Sequence, residues 1–235
     1  MRLLGLVASS ALLLAGCGVT IGESTNGAEG ATEEIAVTPA GIAATTSGVE
    51  LVDAGFGQRG EYVRGVAIVT TDNDQRVGEF VTVSMNFLDA SGAIVGTAEQ
   101  VESFAWAGQH LVLPIWLDLS ATPGVEVDDI DASISLSGYG RNRDKVDPLE
   151  PVDAREIREG QLGDTTAVFE VENPTDSDID NARIGIVCRD ADGVIVGGDS
   201  AYPNLIAAGK SVLVESDILT TGKPTTCVAY PSHGI

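Results

Sequence analysis

The chain has 235 residues, 13 Lys and Arg against 35 Asp and Glu, a net charge of −22, 28 Gly, 3 Cys and 43% hydrophobic residues. That length holds one or two ordinary domains, and the apolar fraction is too high for a disordered acidic tail. A chain this acidic repels phosphate backbones, which are bound largely through Lys and Arg that displace counterions, so nucleic-acid partners are excluded.

Residues 1–16 carry Arg2, an apolar stretch from Leu3 to Leu14, and the small pair Ala15 and Gly16 before Cys17. This charged start, short apolar run and small-residue end is the pattern of an export signal. The run Leu14-Ala15-Gly16-Cys17 resembles the lipobox of bacterial lipoproteins. The resemblance implies cleavage before Cys17, acylation of its thiol and attachment to a membrane on its extracytoplasmic face. Two or three acyl chains, at about 0.8 kcal/mol per buried methylene, anchor stably. Loss of Arg2 would leave 12 of the 13 bases against all 35 acids. From 17 to 47 the composition turns to Gly, Ala, Thr and Ser with Glu23, Glu29, Glu33 and Glu34 and no base, the make-up of a flexible tether. Thirty such residues reach roughly 30 Å, at about 5–6 Å times the square root of length.

The rest of the chain reads as one unit written twice. With a shift of 101 residues, Asp89-Ala90-Ser91-Gly92-Ala93-Ile94-Val95-Gly96 falls on Asp190-Ala191-Asp192-Gly193-Val194-Ile195-Val196-Gly197, with six of the eight positions identical. Val81, Val83, Met85 and Phe87 then fall on Ala182, Ile184, Ile186 and Cys188. Apolar residues at every second position give a strand with one buried face. Further strands are expected at Val49 to Phe56, Tyr62 to Thr70, Ala93 to Thr97, from Leu111, and at Ile130 to Leu136. Their counterparts are Val152 to Ile157, Thr165 to Val171, Val194 to Gly198, from Val212, and Thr225 to Tyr230. Asp89 and Asp190 suit the first position of a hairpin turn, where a carboxylate accepts backbone N–H groups, and Gly92 and Gly193 suit a positive φ. Six or seven short strands per copy predict all-β tandem β-sandwiches at 48–140 and 151–235, joined by a basic linker at 141–150.

The alternating strand, Asp turn, return strand and Ala-Gly segment together resemble the FxLYD family of small extracytoplasmic domains on bacterial envelope proteins. Its naming motif would fall on Met85-Asn86-Phe87-Leu88-Asp89 and Ile186-Val187-Cys188-Arg189-Asp190, which share its Asp and its apolar alternation. The resemblance implies immunoglobulin-like or fibronectin-like sandwiches without catalytic residues.

Cys188 and Cys227 remain as a pair in an oxidising compartment. Cys188 takes the inward place of Phe87, and Cys227 lies in the last strand near the counterpart of Ile134, so both face one core. A disulfide there would be worth roughly 3–4 kcal/mol by loop entropy; two free buried thiols are the alternative. Acidic groups at Asp72 and Asp74, at Asp128, Asp129 and Asp131, at Asp176, Asp178 and Asp180, and at Asp190 and Asp192 invite a calcium reading, but none has the ligand spacing of a calcium loop. They read as solvated turns, with no metal or cofactor expected. Gly198-Asp199-Ser200 has the start of a serine nucleophile loop, but Ala201 stands where Gly is needed and neither His110 nor His233 is placed as a base.

Candidate binding residues are Arg141, Arg143, Lys145, Arg155 and Arg158, which crowd around the inter-domain stretch. Ion pairs that set the domain angle, or a groove for an anionic partner, are their two readings. Trp106 is the other candidate, as an aromatic recognition residue if exposed; its counterpart is Ala207, and that of Trp116 is Asp217. The expectation is a lipid-anchored, non-catalytic binding or scaffold module facing an envelope protein or cell-wall polymer. A secreted hydrolase, a calcium-dependent protein and a passive spacer are the alternatives.

Overall fold

The computed structural model describes residues 45–137 except 47, 146–159 and 165–233. The signal, Cys17 and the tether lie outside these, as do Arg141, Arg143 and Lys145. The described chain is all strand apart from a 3-10 turn at Asp74–Arg76. No helix among the described residues is long and apolar enough to cross a membrane.

The first half holds β1 (Thr45–Thr46), β2 (Val49–Arg59), β3 (Tyr62–Thr70), β4 (Phe80–Leu88), β5 (Ile94–Ser103), β6 (Leu111–Asp118) and β7 (Asp129–Ser137). The second holds β8 (Val152–Asp153), β9 (Glu156–Glu159), β10 (Thr165–Glu172), β11 (Ile179–Asp180), β12 (Arg183–Arg189), β13 (Ile195–Ala201), β14 (Leu205–Ile206), β15 (Ser211–Thr220) and β16 (Thr226–Ser232). In the first half β1-β2-β3-β6 faces β5-β4-β7, and every pairing is antiparallel. The second half repeats that order within one seven-stranded sheet, β8-β16-β12-β13-β15-β10-β9, and adds the two-stranded β11-β14. In the first half the chain passes from one sheet to the other between β3 and β4, and in the second the single sheet folds over between β13 and β15 into two layers, so each half packs a core of its own.

The expected opening strand at Val152 to Ile157 is split. Its first piece, β8, pairs with β16, and its second, β9, pairs with β10. The second half also folds over where Gly197 and Gly198 pair with Thr220 and Leu219. A Cβ at Gly197 would lie 2.1 Å from the Leu219 carbonyl, and its φ is 151°, so only glycine fits this corner.

One core packs Leu51, Val63, Val81, Val83, Met85, Phe87, Leu113, Ile115 and Ile134, and the other Phe169, Val171, Ile184, Ile186, Cys188, Ile206 and Ile218. Leu149, within the expected linker, belongs to the second core. Cys188 and Cys227 face each other across β12 and β16 and form a disulfide, with Cα atoms 4.1 Å apart. The register corrects one expectation. Phe87 pairs with Ile130, so Cys227 takes the place of Ile130 and not of Ile134.

The two sandwiches meet face to face. On β3 the odd residues enter the first core, while Val66 and Ile68 point the other way; Val112 on β6 does the same. On β12 the even residues enter the second core, and Val187 points out. Val66, Ile68, Val112, Val187 and Ile195 form a third buried cluster, with Tyr230 packed on it. The result is four stacked sheets whose two middle layers are covered on both faces. Burying these five aliphatic side chains contributes about 1.5–3 kcal/mol each.

Candidate functional site

Among the described residues, three arginines cross the seam between the halves. Arg183 meets Glu102 at 2.9 Å, with both side chains buried, and also donates to the Val112 carbonyl at 3.2 Å. Arg189 meets Asp53 at 2.5 Å, and Arg64 meets Asp199 at 3.1 Å. The expected braces lie elsewhere. Arg155 pairs with Glu170, while Arg158 pairs with Glu215 at 2.6 Å and Glu156 at 3.5 Å. These two tie β9 to the outer sheet of the second half and do not reach the seam.

At one end of the seam a cleft of about 420 Å³ is lined by Trp106, Gln109, His110, Pro148, Leu149, Glu150, Pro151, Tyr230 and Pro231, with Ala107 and Gly108. Its first wall is the loop between β5 and β6. Gly108 N–H donates to the Thr71 carbonyl at 2.7 Å, with φ 83°, which bends the loop over the sheet end. Gln109 is buried. Its Oε1 accepts from Ala105 N–H at 2.7 Å and its amide donates to Ser232 Oγ at 3.1 Å, which clips the loop to β16 of the other half. The second wall is the segment 146–151 with the end of β16.

The aromatic groups interlock across this clip. Trp106, half-buried, packs against the second core and meets His233 edge-on with centroids 6.2 Å apart. His233 Nε2 donates to the Asp147 carbonyl at 2.9 Å, and because a carbonyl only accepts, that nitrogen carries the proton. His110 is exposed and stands edge-on to Tyr230 at 6.3 Å. Burial raises the Tyr230 phenol above its usual range; Arg189 opposes this, and Asp153 and Asp53 add to it. Tyr230 is therefore a neutral hydrogen-bonding group at physiological pH. Among the described lining residues Glu150 is the one carboxylate.

Of the sequence candidates within the described residues, Trp106 lines this cleft and Arg155 and Arg158 do not. His110, Tyr230, Glu150 and the three prolines escaped sequence reasoning, since they come from three separate segments and form no motif. The signal that could have found the seam was local. Arg183-Ile184-Gly185-Ile186-Val187-Cys188-Arg189 is apolar on both faces of one strand, the mark of a strand covered on both sides.

Asp190 Oδ1 closes its turn, accepting from Asp192 and Val194 N–H at 2.9 Å each, whereas Asp178 Oδ1 reaches across 30 residues to accept from Ala208 N–H at 2.8 Å. Among the described residues no three His, Cys, Asp or Glu side chains converge as a metal-sized group. Asp199, in the segment with a nucleophile-loop start, is spent on Arg64. No protein-family model and no curated protein matches this chain.

Proposed function

We propose that the protein is a lipid-anchored, extracytoplasmic binding module of a bacterial envelope, non-catalytic, with the seam cleft as its binding site. The observation that carries this reading is the cleft's construction: both halves supply its walls, and half-buried aromatic rings are set beside an exposed imidazole, two exposed prolines and one exposed carboxylate. Such a surface suits an extended peptide segment, because flat rings grip it at little entropic cost and directional partners fix its register. The carboxylate of Glu150, on a chain of net charge −22, favours a segment that carries positive charge. The tether fits the same reading, since it would hold the stack off the lipid surface within reach of an envelope protein.

Two measurements test it. Metabolic labelling with a palmitate analogue should mark the wild-type chain and not Cys17→Ser; equal labelling of both refutes the anchor. A photo-crosslinking residue at His110 in intact cells should capture a discrete envelope partner that is lost in Trp106→Ala, while the same residue at Ser84, on the far sheet, captures none. Identical capture from both positions would leave only a passive spacer.

A further inference from the structure

A second exposed surface lies on the same sheet face as the seam, beyond where the second half covers it. On β3 and β6, Tyr62 is opposite Asp118 and Arg64 is opposite Trp116. All four point to the face that carries Val66 and Val112, but Tyr62 is 47% exposed and Trp116 48%. The rings form a tilted pair with centroids 5.5 Å apart and planes 31° from parallel. The Arg64 guanidinium lies over the Trp116 ring at 4.6 Å and is held by Asp199 of the second half. Trp116 is on the edge strand of its sheet, so no further strand pairs on the side away from Tyr62 and Arg64. The indole is thus fixed in place from one side by groups of both halves, with its remaining surface open to solvent.

We propose that this Tyr62–Trp116 platform binds an uncharged saccharide chain. A pyranose ring presents a face of C–H groups that packs on an aromatic ring, and its hydroxyls need both acceptors and donors close by. Asp118, with one carboxylate oxygen besides the Oδ1 that accepts from Ser120 N–H, supplies an acceptor, and the terminal guanidinium N–H groups of Arg64 beyond its pair with Asp199 supply donors. Charge selects among the other occupants of an exposed aromatic patch. Arg64 is neutralised by Asp199, and the chain carries −22. That charge repels an anionic lipid surface, a polyanion and a second copy of the chain alike. A cationic segment would find the Arg64 guanidinium already seated on the Trp116 ring, so a neutral polymer with apolar ring faces and hydroxyl edges fits what remains. The site is separate from the cleft and goes beyond it: with both occupied, the protein would hold a peptide and a glycan at once.

The chain has two tryptophans, so its two indole N–H signals in a proton–nitrogen NMR spectrum separate the sites. With the full chain, chitotetraose or cellotetraose should shift the Trp116 signal saturably and leave that of Trp106 in place. Trp116→Phe assigns the signal. Tyr62→Ala, at a half-exposed position, should weaken binding at least tenfold, whereas Tyr62→Phe retains it. No shift at millimolar concentration of either sugar would overturn the proposal. So would equal affinity of Tyr62→Ala, movement of the Trp106 signal instead, or a Trp116 shift induced by neutral phosphatidylcholine vesicles. Movement of the Trp106 signal would put the sugar in the cleft and count against the peptide reading as well; the other outcomes leave that reading intact, because it is read at His110 and Trp106.

Discussion

Two aspartates with opposite environments give the chain opposite pH responses at single positions. Asp89 is exposed in its turn, and its Oδ1 accepts from Ser91 Oγ at 2.6 Å, Ser91 N–H at 2.8 Å and Ala93 N–H at 3.0 Å. The Ser91 hydroxyl and these N–H groups hold its carboxyl below the usual range. The folded state therefore favours ionised Asp89, and its contribution is present above the unfolded value near 3.9 and lost as pH falls through the lower folded value. Asp199 is the reverse. Burial holds it above the usual range, although Arg64 and the Ser200 N–H pull it down. Its folded state keeps a proton that the unfolded chain has released, so the stability linked to it is present below the unfolded value and lost as pH rises through the folded one. Urea midpoints from about pH 3 to pH 7 check both. The advantage of wild type over Asp89→Ala should shrink toward low pH, and its standing relative to Asp199→Asn should improve there. Parallel curves for either pair would contradict the assignment.

At the level of elements, β3 and β12 are the strands that the stack covers on both sides, and β12 approaches β6 closely at one glycine. A Cβ at Gly185 would lie 2.5 Å from Val112 Cβ and 3.2 Å from the Val112 carbonyl, so Gly185→Ala must push the sheets apart. Overpacking of this kind costs about 1–3 kcal/mol, which chemical denaturation should read as a lowered midpoint. Ser84→Ala, on the outward face of β4, should be nearly silent. The same strands show what was legible beforehand. Period-two alternation located β4 and β12, and the Asp turns closed their hairpins with the hydrogen bonds expected of them. Alternation also placed Cys188 inward, but it did not give the register that sets Cys227 directly opposite, at the counterpart of Ile130. Alternation speaks only of one buried face, however. The second burial of Val66, Ile68 and Val187 is made by the other half of the chain, and no residue within β3 or β12 states which partner covers it. Five bases close in sequence drew the expected brace to the inter-domain stretch. Of these, Arg155 and Arg158 pair within the second half and Arg141, Arg143 and Lys145 lie outside the described residues, whereas the described cations at the seam, Arg64, Arg183 and Arg189, are scattered through strands and converge only in three dimensions.

For the whole molecule, the seam decides whether two similar sandwiches behave as two bodies or one. Separation would expose Val66, Ile68 and Val112 on one side and Val187 and Ile195 on the other, and would leave Arg183 and Glu102 without each other. Breaking a buried pair by removing one partner costs about 3–5 kcal/mol, because the remaining charge stays desolvated. Separated halves regain water on both charges and lose less there, but they also lose the aliphatic cluster. We therefore expect the halves to unfold together. Both tryptophans belong to the first half, and the disulfide belongs to the second, with a separation of 39 residues. Removing that crosslink should cost about 4 kcal/mol by loop entropy. In a coupled molecule Cys188→Ala/Cys227→Ala lowers the denaturant midpoint read by tryptophan fluorescence as much as the one read by far-UV circular dichroism. If the fluorescence midpoint stays in place while the dichroism transition splits, the halves are independent and the seam is a weak contact. The cleft at Trp106 and the platform at Trp116 would then lack the fixed geometry that each draws from the opposite half.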